Sequence, residues 1–209
     1  MLTELYGIKK PQIQIIGWHI DHDFFHPMSD TVLKAQICSA GMANRDYATL
    51  VEAIRDVEID LKIAADSPWF NYALNVSPET TNERVEIKSY GTYKDLRQLY
   101  AESLFVVVPL FDVPFSAGYT VILEAMAMGK AVIVARIKQK DDFLIESYNG
   151  LYYTPGDSQE LKARIKYLLA HPAEAIKMGE NGRRRVIENY TLDHYVQQMR
   201  DAVSGKIVL

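Results

Sequence analysis

Glu124 stands four residues after Thr120 in the stretch Tyr119 to Met128, which is rich in Ala, Met, Leu and Glu and is followed by Gly129. That composition, with a glycine stop, predicts a helix on which Thr120 and Glu124 share one side, a turn apart. The preceding loop, Leu110 to Gly118, contains Pro114, Ser116 and Gly118, so the helix N-terminus opens at the mouth of a loop. Backbone N–H groups there, with the helix dipole behind them, form a natural phosphate seat. Gly118, Tyr119 and Thr120 would supply it mainly through their backbone, and Gly118 would let a ligand approach without meeting a Cβ. A carboxylate one turn deeper can accept hydrogen bonds from a ribose diol whose phosphates lie at the helix tip. The alternative for Glu124, on spacing alone, is a solvated helix glutamate.

Other residues with chemical potential are fewer. Gly17 to Pro27 gathers His19, Asp21, His22, Asp23 and His26. Their spacing matches no compact zinc pattern and no cysteine joins them, so no metal site is assigned. Arg45 follows the turn Gly41-Met42-Ala43-Asn44 at the end of an apolar run; a guanidinium there can bridge two phosphate oxygens or simply start the next helix. Tyr90, close after Lys88, can stack on a base or pack at a strand end. No residue is assigned a catalytic role.

The elements that must position these groups alternate along the chain. The solid apolar run Phe105 to Pro109 predicts a strand buried on both faces, and Ala131 to Val134 a second. Further strands are predicted at Gln12 to Ile16, Gln36 to Ala40, Leu61 to Ala65, Val85 to Ser89 and Leu151 to Tyr153. Helices are predicted over Arg45 to Val57, Tyr93 to Tyr100, Ser158 to Ala170 with Ser158 as N-cap, Ala173 to Asn189 and Thr191 to Val203. Shorter helical pieces are predicted at Met1 to Lys10, Trp69 to Leu74 and Asp142 to Glu146. Strands alternating with helices predict an α/β fold: a Rossmann-like parallel sheet with helices on both faces, in a single domain. Ligands of such sheets bind beyond the carboxyl ends of the strands, which directs attention to the loops holding Arg45, Tyr90 and Gly118. No Walker lysine loop and no G-x-G-x-x-G fingerprint is present, which disfavours an NTPase or a nicotinamide enzyme.

The 209 residues suit one domain or one with an appendage. A net charge of −4, without a long basic run, argues against a nucleic-acid partner. Arg183-Arg184-Arg185 reads as a solvated helix face. Cys38, the lone cysteine, reads as a buried thiol in a reducing cytosol, and a cytoplasmic location is expected. No apolar segment approaches the length of a membrane span, and nothing in the sequence argues for membrane association.

Leu123-Glu124-Ala125-Met126-Ala127-Met128-Gly129-Lys130-Ala131-Val132-Ile133 resembles the nucleotide-sugar site of the family 4 (group 1) glycosyltransferases, which have the GT-B fold. Asn149-Gly150-Leu151 and Pro155-Gly156-Asp157 resemble further family fragments, and the resemblance runs from about Gly17 to about Val203. It implies the C-terminal, donor-binding domain of a retaining glycosyltransferase, of hexosyltransferase type, acting in polysaccharide or glycoconjugate synthesis. Glu124 would hold the donor ribose, Arg45 the diphosphate, and Lys88 and Tyr90 would lie beside the nucleobase. The family's first glutamate, which touches the sugar, is replaced by Ser116. Gly17, Asp21, Phe25 and Pro27 resemble the crossing between the two domains, so residues 1–27 would be a remnant of that crossing and 28–209 the nucleotide-sugar-binding domain. The implied substrate is a nucleotide-diphosphate sugar, with no metal or other cofactor, and the implied missing partner is an N-terminal acceptor-binding domain. Alone, the chain would be inactive. A non-catalytic nucleotide-binding or assembly module of the same fold is the alternative that Ser116 suggests. A nucleotide-sugar epimerase is a third, more distant reading.

Overall fold

The computed structural model describes residues 5–7, 13, 15–65, 76, 83–115, 117–138 and 142–204. Along the chain run β1 (Gln36–Ala40), α1 (Tyr47–Ile54), β2 (Asp60–Ala64), β3 (Val85–Lys88), α2 (Tyr93–Glu102), β4 (Val106–Val108) and α3 (Tyr119–Ala127). Then follow β5 (Val132–Ala135), β6 (Gly150–Tyr153), α4 (Ser158–Ala170), α5 (Pro172–Asn189) and α6 (Leu192–Val203). The strands form one parallel sheet in the order β3-β2-β1-β4-β5-β6. Every residue of β1, β4 and β5 is buried, which requires cover on both faces. α1 packs against α4, and α3 against α5, supplying the two helical layers. The sheet is thus the predicted Rossmann-like one.

α3 is the innermost helix: eight of its nine residues are buried and only Thr120 is exposed. A helix apolar nearly all round belongs inside a protein, and Glu124 is its one ionisable carboxylate. α3 meets α5 closely enough that a Cβ on Gly179 would lie 2.0 Å from the carbonyl oxygen of Gly129.

Several local expectations shift. The N-cap of α4 is Asp157, one residue before Ser158; its carboxylate accepts from the N–H groups of Gln159 and Glu160 at 3.0 and 2.8 Å, which a single hydroxyl would satisfy less well. Residues Asp142–Glu146 form no helix; Asn149 instead bonds the backbone of Phe143 and Ile145. Ile13, Ile15 and Ile16 lie in no strand. The helix at Trp69–Leu74 and most of Met1–Lys10 lie outside the described residues.

Gly17 to Pro27 is held by the end of the chain. Gly17 N–H donates to Gln198 at 2.9 Å, His19 stacks on Tyr195 with ring centres 4.0 Å apart, and Ile20 N–H donates to the Tyr190 carbonyl at 2.8 Å. Asp21 accepts from the N–H groups of Asp23 and Phe24. Arg183 donates to the carbonyls of His22, Phe25 and Ala127, and Arg185 to that of Phe143. Two of the three arginines read as a solvated face are therefore staples between segments distant in sequence. Among the described residues no three His, Cys, Asp or Glu side chains converge as a metal site, and no helix is long and apolar enough to cross a membrane.

Candidate functional site

The sheet order reverses direction between β1 and β4, and this is where a parallel sheet leaves a crevice at its carboxyl edge. A cavity of about 300 Å³ opens there. Its floor and walls come from Ala40 and Gly41 at the end of β1, Ala64 at the end of β2, the Tyr90–Thr92 turn after β3, Tyr93 and Leu96 of α2, and Thr120, Val121 and Glu124 of α3. Among the described residues the lining is mostly apolar, with one carboxylate and two tyrosines, the composition of a small-molecule site.

Glu124 lines this cavity yet is only 3% exposed. Burial pushes its carboxyl up to about 7, opposed by a hydrogen bond from Tyr100 and by the charge of Arg45. Tyr100 Oη donates to Glu124 Oε2 at 2.7 Å. Tyr100 is fully buried on α2, and burial is also the main cause that raises its phenol well above the usual tyrosine range. The solvated-glutamate reading of Glu124 is excluded by its burial.

Arg45 sits between β1 and α1, where it bridges to Leu110. Its guanidinium is turned into the protein: Nε donates to the Ala40 carbonyl and Nη1 to that of Ala43, both at 2.9 Å. A Cβ on Gly41, whose φ is +91°, would lie 2.8 Å from Nη2, so only glycine leaves room for the arginine to fold over that turn. Burial lowers the Arg45 pKa, and the nearby Tyr47, Tyr100 and Glu124 hold it up. Arg45 is not among the cavity-lining residues; it is a buried cation behind them.

At the phosphate seat, Gly118 is the N-cap of α3 with φ +78° and no side-chain cap bond. The room left by its missing Cβ is taken by Val108 at 3.0 Å and Leu110 at 3.2 Å. The glycine serves the left-handed turn and close packing on β4, rather than ligand approach. Tyr119 is buried, edge-on to Trp18 and Phe143, so its ring belongs to the core. Thr120 is exposed at the cavity. Ser116 lies outside the described residues. Asp112, the nearest upstream acid, is bound by the backbone N–H and Nζ of Lys138 at 3.1 and 3.0 Å, and those contacts lower its pKa.

Of Lys88 and Tyr90, only Tyr90 lines the Glu124 cavity. Lys88 pairs with Glu86 at 2.7 Å and lines a neighbouring groove of about 370 Å³ shared with Lys34, Lys62 and Glu102. Tyr90 borders both spaces, and Lys88 Nζ lies 5.0 Å from its ring centre. The sequence reading missed Tyr93, Leu96 and Tyr100. Tyr93 and Leu96 follow Tyr90 closely enough to be suspected, whereas Tyr100 belongs to another helix than Glu124 and carries no local signal.

Comparison with known proteins follows the same outline. The family described as glycosyl transferase-like matches residues 45–201. Two curated relatives are each 25% identical: an uncharacterized glycosyltransferase of Methanocaldococcus jannaschii over 134 residues, and the MMP alpha-(1->4)-mannosyltransferase of Mycolicibacterium hassiacum over 202. They align with 64% and 91% of this chain, which spans 37% and 47% of their lengths. Sucrose-phosphate synthase of Thermosynechococcus elongatus superposes with a TM-score of 0.77 at 22% identity, covering 98% of this chain and 55% of its own. Anabaena Alr3699/HepE, in complex with UDP and glucose, gives 0.75 at 18% identity, with 91% and 56% covered. The C-terminal domain of a group 1 glycosyl transferase, LpcC of Francisella tularensis, gives 0.65 at 15% identity, covering 83% of this chain and 99% of that domain.

Proposed function

The chain belongs to the glycosyl transferase-like family, and on that premise we propose that it is the donor-binding half of a retaining glycosyltransferase using a nucleotide-diphosphate sugar. The observation that carries this reading is Glu124: a buried carboxylate one turn inside α3, lining a cavity at the carboxyl edge of the sheet. With the diphosphate at the N-terminus of α3, a ribose diol reaches the carboxylate and the base lies toward Tyr90 and Tyr93. The complex of HepE with UDP and glucose supports a uridine nucleotide as the first probe. In the full reaction the bond between the anomeric carbon and the diphosphate oxygen breaks, and the carbon passes to an acceptor hydroxyl oxygen with its configuration kept, that hydroxyl's proton passing to the departing diphosphate oxygen. The departing diphosphate carries negative charge, which the dipole of α3 stabilises, with Arg45 as a cation behind the site. The acceptor would come from the polysaccharide or glycoconjugate under synthesis and would be held by a further domain.

Calorimetry with UDP and 2′,3′-dideoxy-UDP tests the reading. The parent protein should favour the ribonucleotide, and Glu124→Gln should weaken UDP by about 1–3 kcal/mol, the range for a hydrogen bond to a charged group. The dideoxy form should lose no more on mutation. Equal binding of both forms by the parent would remove Glu124 from the site. A non-catalytic binding module is favoured instead by Ser116 at the family's first glutamate and by Arg45 facing its own carbonyls; silence across a panel of nucleoside diphosphates would select it.

A further inference from the structure

We propose that Tyr100, which does not line the cavity, is a positioning residue for Glu124: its hydroxyl occupies Oε2, so that Oε1 is the oxygen presented to a ligand hydroxyl. This rests on the donor-binding reading above. A buried phenol is costly to leave without an acceptor, and here the acceptor is Glu124, the one carboxylate among the described residues of the cavity, 2.7 Å away on a different helix. Among the described residues no other donor reaches that carboxylate, although the side chain is almost wholly enclosed. Tyr100 is itself fixed: it lies within α2 between buried Leu99 and Ala101, with the Phe25 ring 6.4 Å from its own.

Two consequences follow from that single bond. The bond sets the rotamer of Glu124, because a carboxylate anchored at one oxygen presents the other in a fixed direction. It also favours the ionised form, the acceptor-only state that a diol requires. The groups acting on the carboxylate are Tyr100 from α2 and Arg45 from the β1–α1 loop, both opposing the burial that raises its pKa. Arg45 acts at longer range through charge; among the described residues Tyr100 alone hydrogen-bonds the carboxylate.

The test uses the 209-residue chain with UDP-glucose, whose diphosphate has no proton titrating near neutrality. Carbon-13 NMR of the glutamate carboxyls, with Glu124 assigned by its loss in Glu124→Gln, gives the titration midpoint without any ligand. The parent midpoint should lie near 7, and Tyr100→Phe should raise it by about one pH unit, as expected on losing a donor to the charged form. UDP-glucose should bind Tyr100→Phe about three- to tenfold more weakly at pH 7, with the gap narrowing at higher pH. Adding Tyr100→Phe to Glu124→Gln should change affinity no further. If Tyr100→Phe does not fold, site-specific 3-fluorotyrosine at position 100, a stronger donor of nearly the same shape, should lower the midpoint. A midpoint unmoved by either replacement overturns the proposal. A parent that ignores UDP-glucose, or a Glu124→Gln variant that binds it fully, overturns the donor-binding reading instead, while the midpoint still decides whether Tyr100 governs the carboxylate.

Discussion

Glu124 is held where it weakens the fold in order to be useful. Its carboxyl is raised to about 7 in the folded protein from an ordinary 4.5, so the folded state holds this proton more tightly than the unfolded chain. The stabilising contribution is therefore complete below pH 4.5 and is lost as pH rises through 7. The loss amounts to roughly 3 kcal/mol. Denaturant unfolding at a series of pH values should show Glu124→Gln losing this slope: relative to the parent, the variant gains stability from pH 4.5 to 7 and holds the difference above. A parallel pH dependence in both proteins would mean that the carboxylate is solvated. Because the side chain faces the cavity while nearly enclosed, the same substitution that weakens the ligand should ease folding at alkaline pH, a trade common at functional sites.

Among elements, the junction of α3 with α5 fixes how deep α3 sits and hence where Glu124 stands. Gly179 in α5 rests directly on the turn after α3, where an added Cβ would meet the Gly129 backbone at 2.0 and 2.7 Å. Glycine to alanine inside a helix ordinarily gains up to about 1 kcal/mol. Here backbone must move, so Gly179→Ala should destabilise by about 2 kcal/mol or more. Gly182, one turn on, would first meet the Met126 side chain, at 3.1 Å for its Cγ, with the Met126 Cα at an ordinary 3.6 Å, and Gly182→Ala should be near neutral. Unfolding midpoints of the two variants check this; equal effects would show that α5 does not clamp α3 through Gly179. Both helices are expected from the sequence, α3 from its composition and glycine stop, but Gly179 and Gly182 look alike within it. Only the facing element distinguishes them.

At the scale of the whole molecule, the chain corresponds to an entire C-terminal domain of one group 1 enzyme and to about half of two larger proteins. A unit with its own sheet and two helical layers should unfold in one cooperative transition. UDP at a hundred times its Kd should stabilise it by about 2.7 kcal/mol, which for a domain of this size raises Tm by roughly 5–10 °C. Differential scanning fluorimetry reads this directly, with 2′,3′-dideoxy-UDP as the weaker control. No shift with any nucleoside diphosphate would favour the assembly-module reading.

The sequence by itself determined the class of fold and the position of the helix that holds Glu124. Val106 to Val108 and Val132 to Val134 are unbroken β-branched runs, short enough and branched enough to predict strands with both faces covered. On spacing alone Glu124 could equally be a solvated helix glutamate; it is the resemblance of Leu123 to Ile133 to the glycosyltransferase motif that singles it out, a signal contained within a dozen residues. What lay between distant segments was decided by the tertiary structure. Nothing near Glu124 in the chain predicts the Tyr100 hydroxyl 2.7 Å from it, because the two are brought together only when α2 and α3 pack. Lys88 and Tyr90, two residues apart, share one side of the chain, as alternate residues of an extended segment do, with Lys88 Nζ 5.0 Å from the Tyr90 ring centre; that only Tyr90 also reaches the Glu124 cavity is decided by the turn after β3 and not by local sequence. Arg183, one of three successive arginines, joins His22, Phe25 and Ala127 only because α5 ends up beside all three carbonyls. Local periodicity writes the elements; burial of polar groups, which must find partners wherever the fold places them, chooses the contacts that make the site.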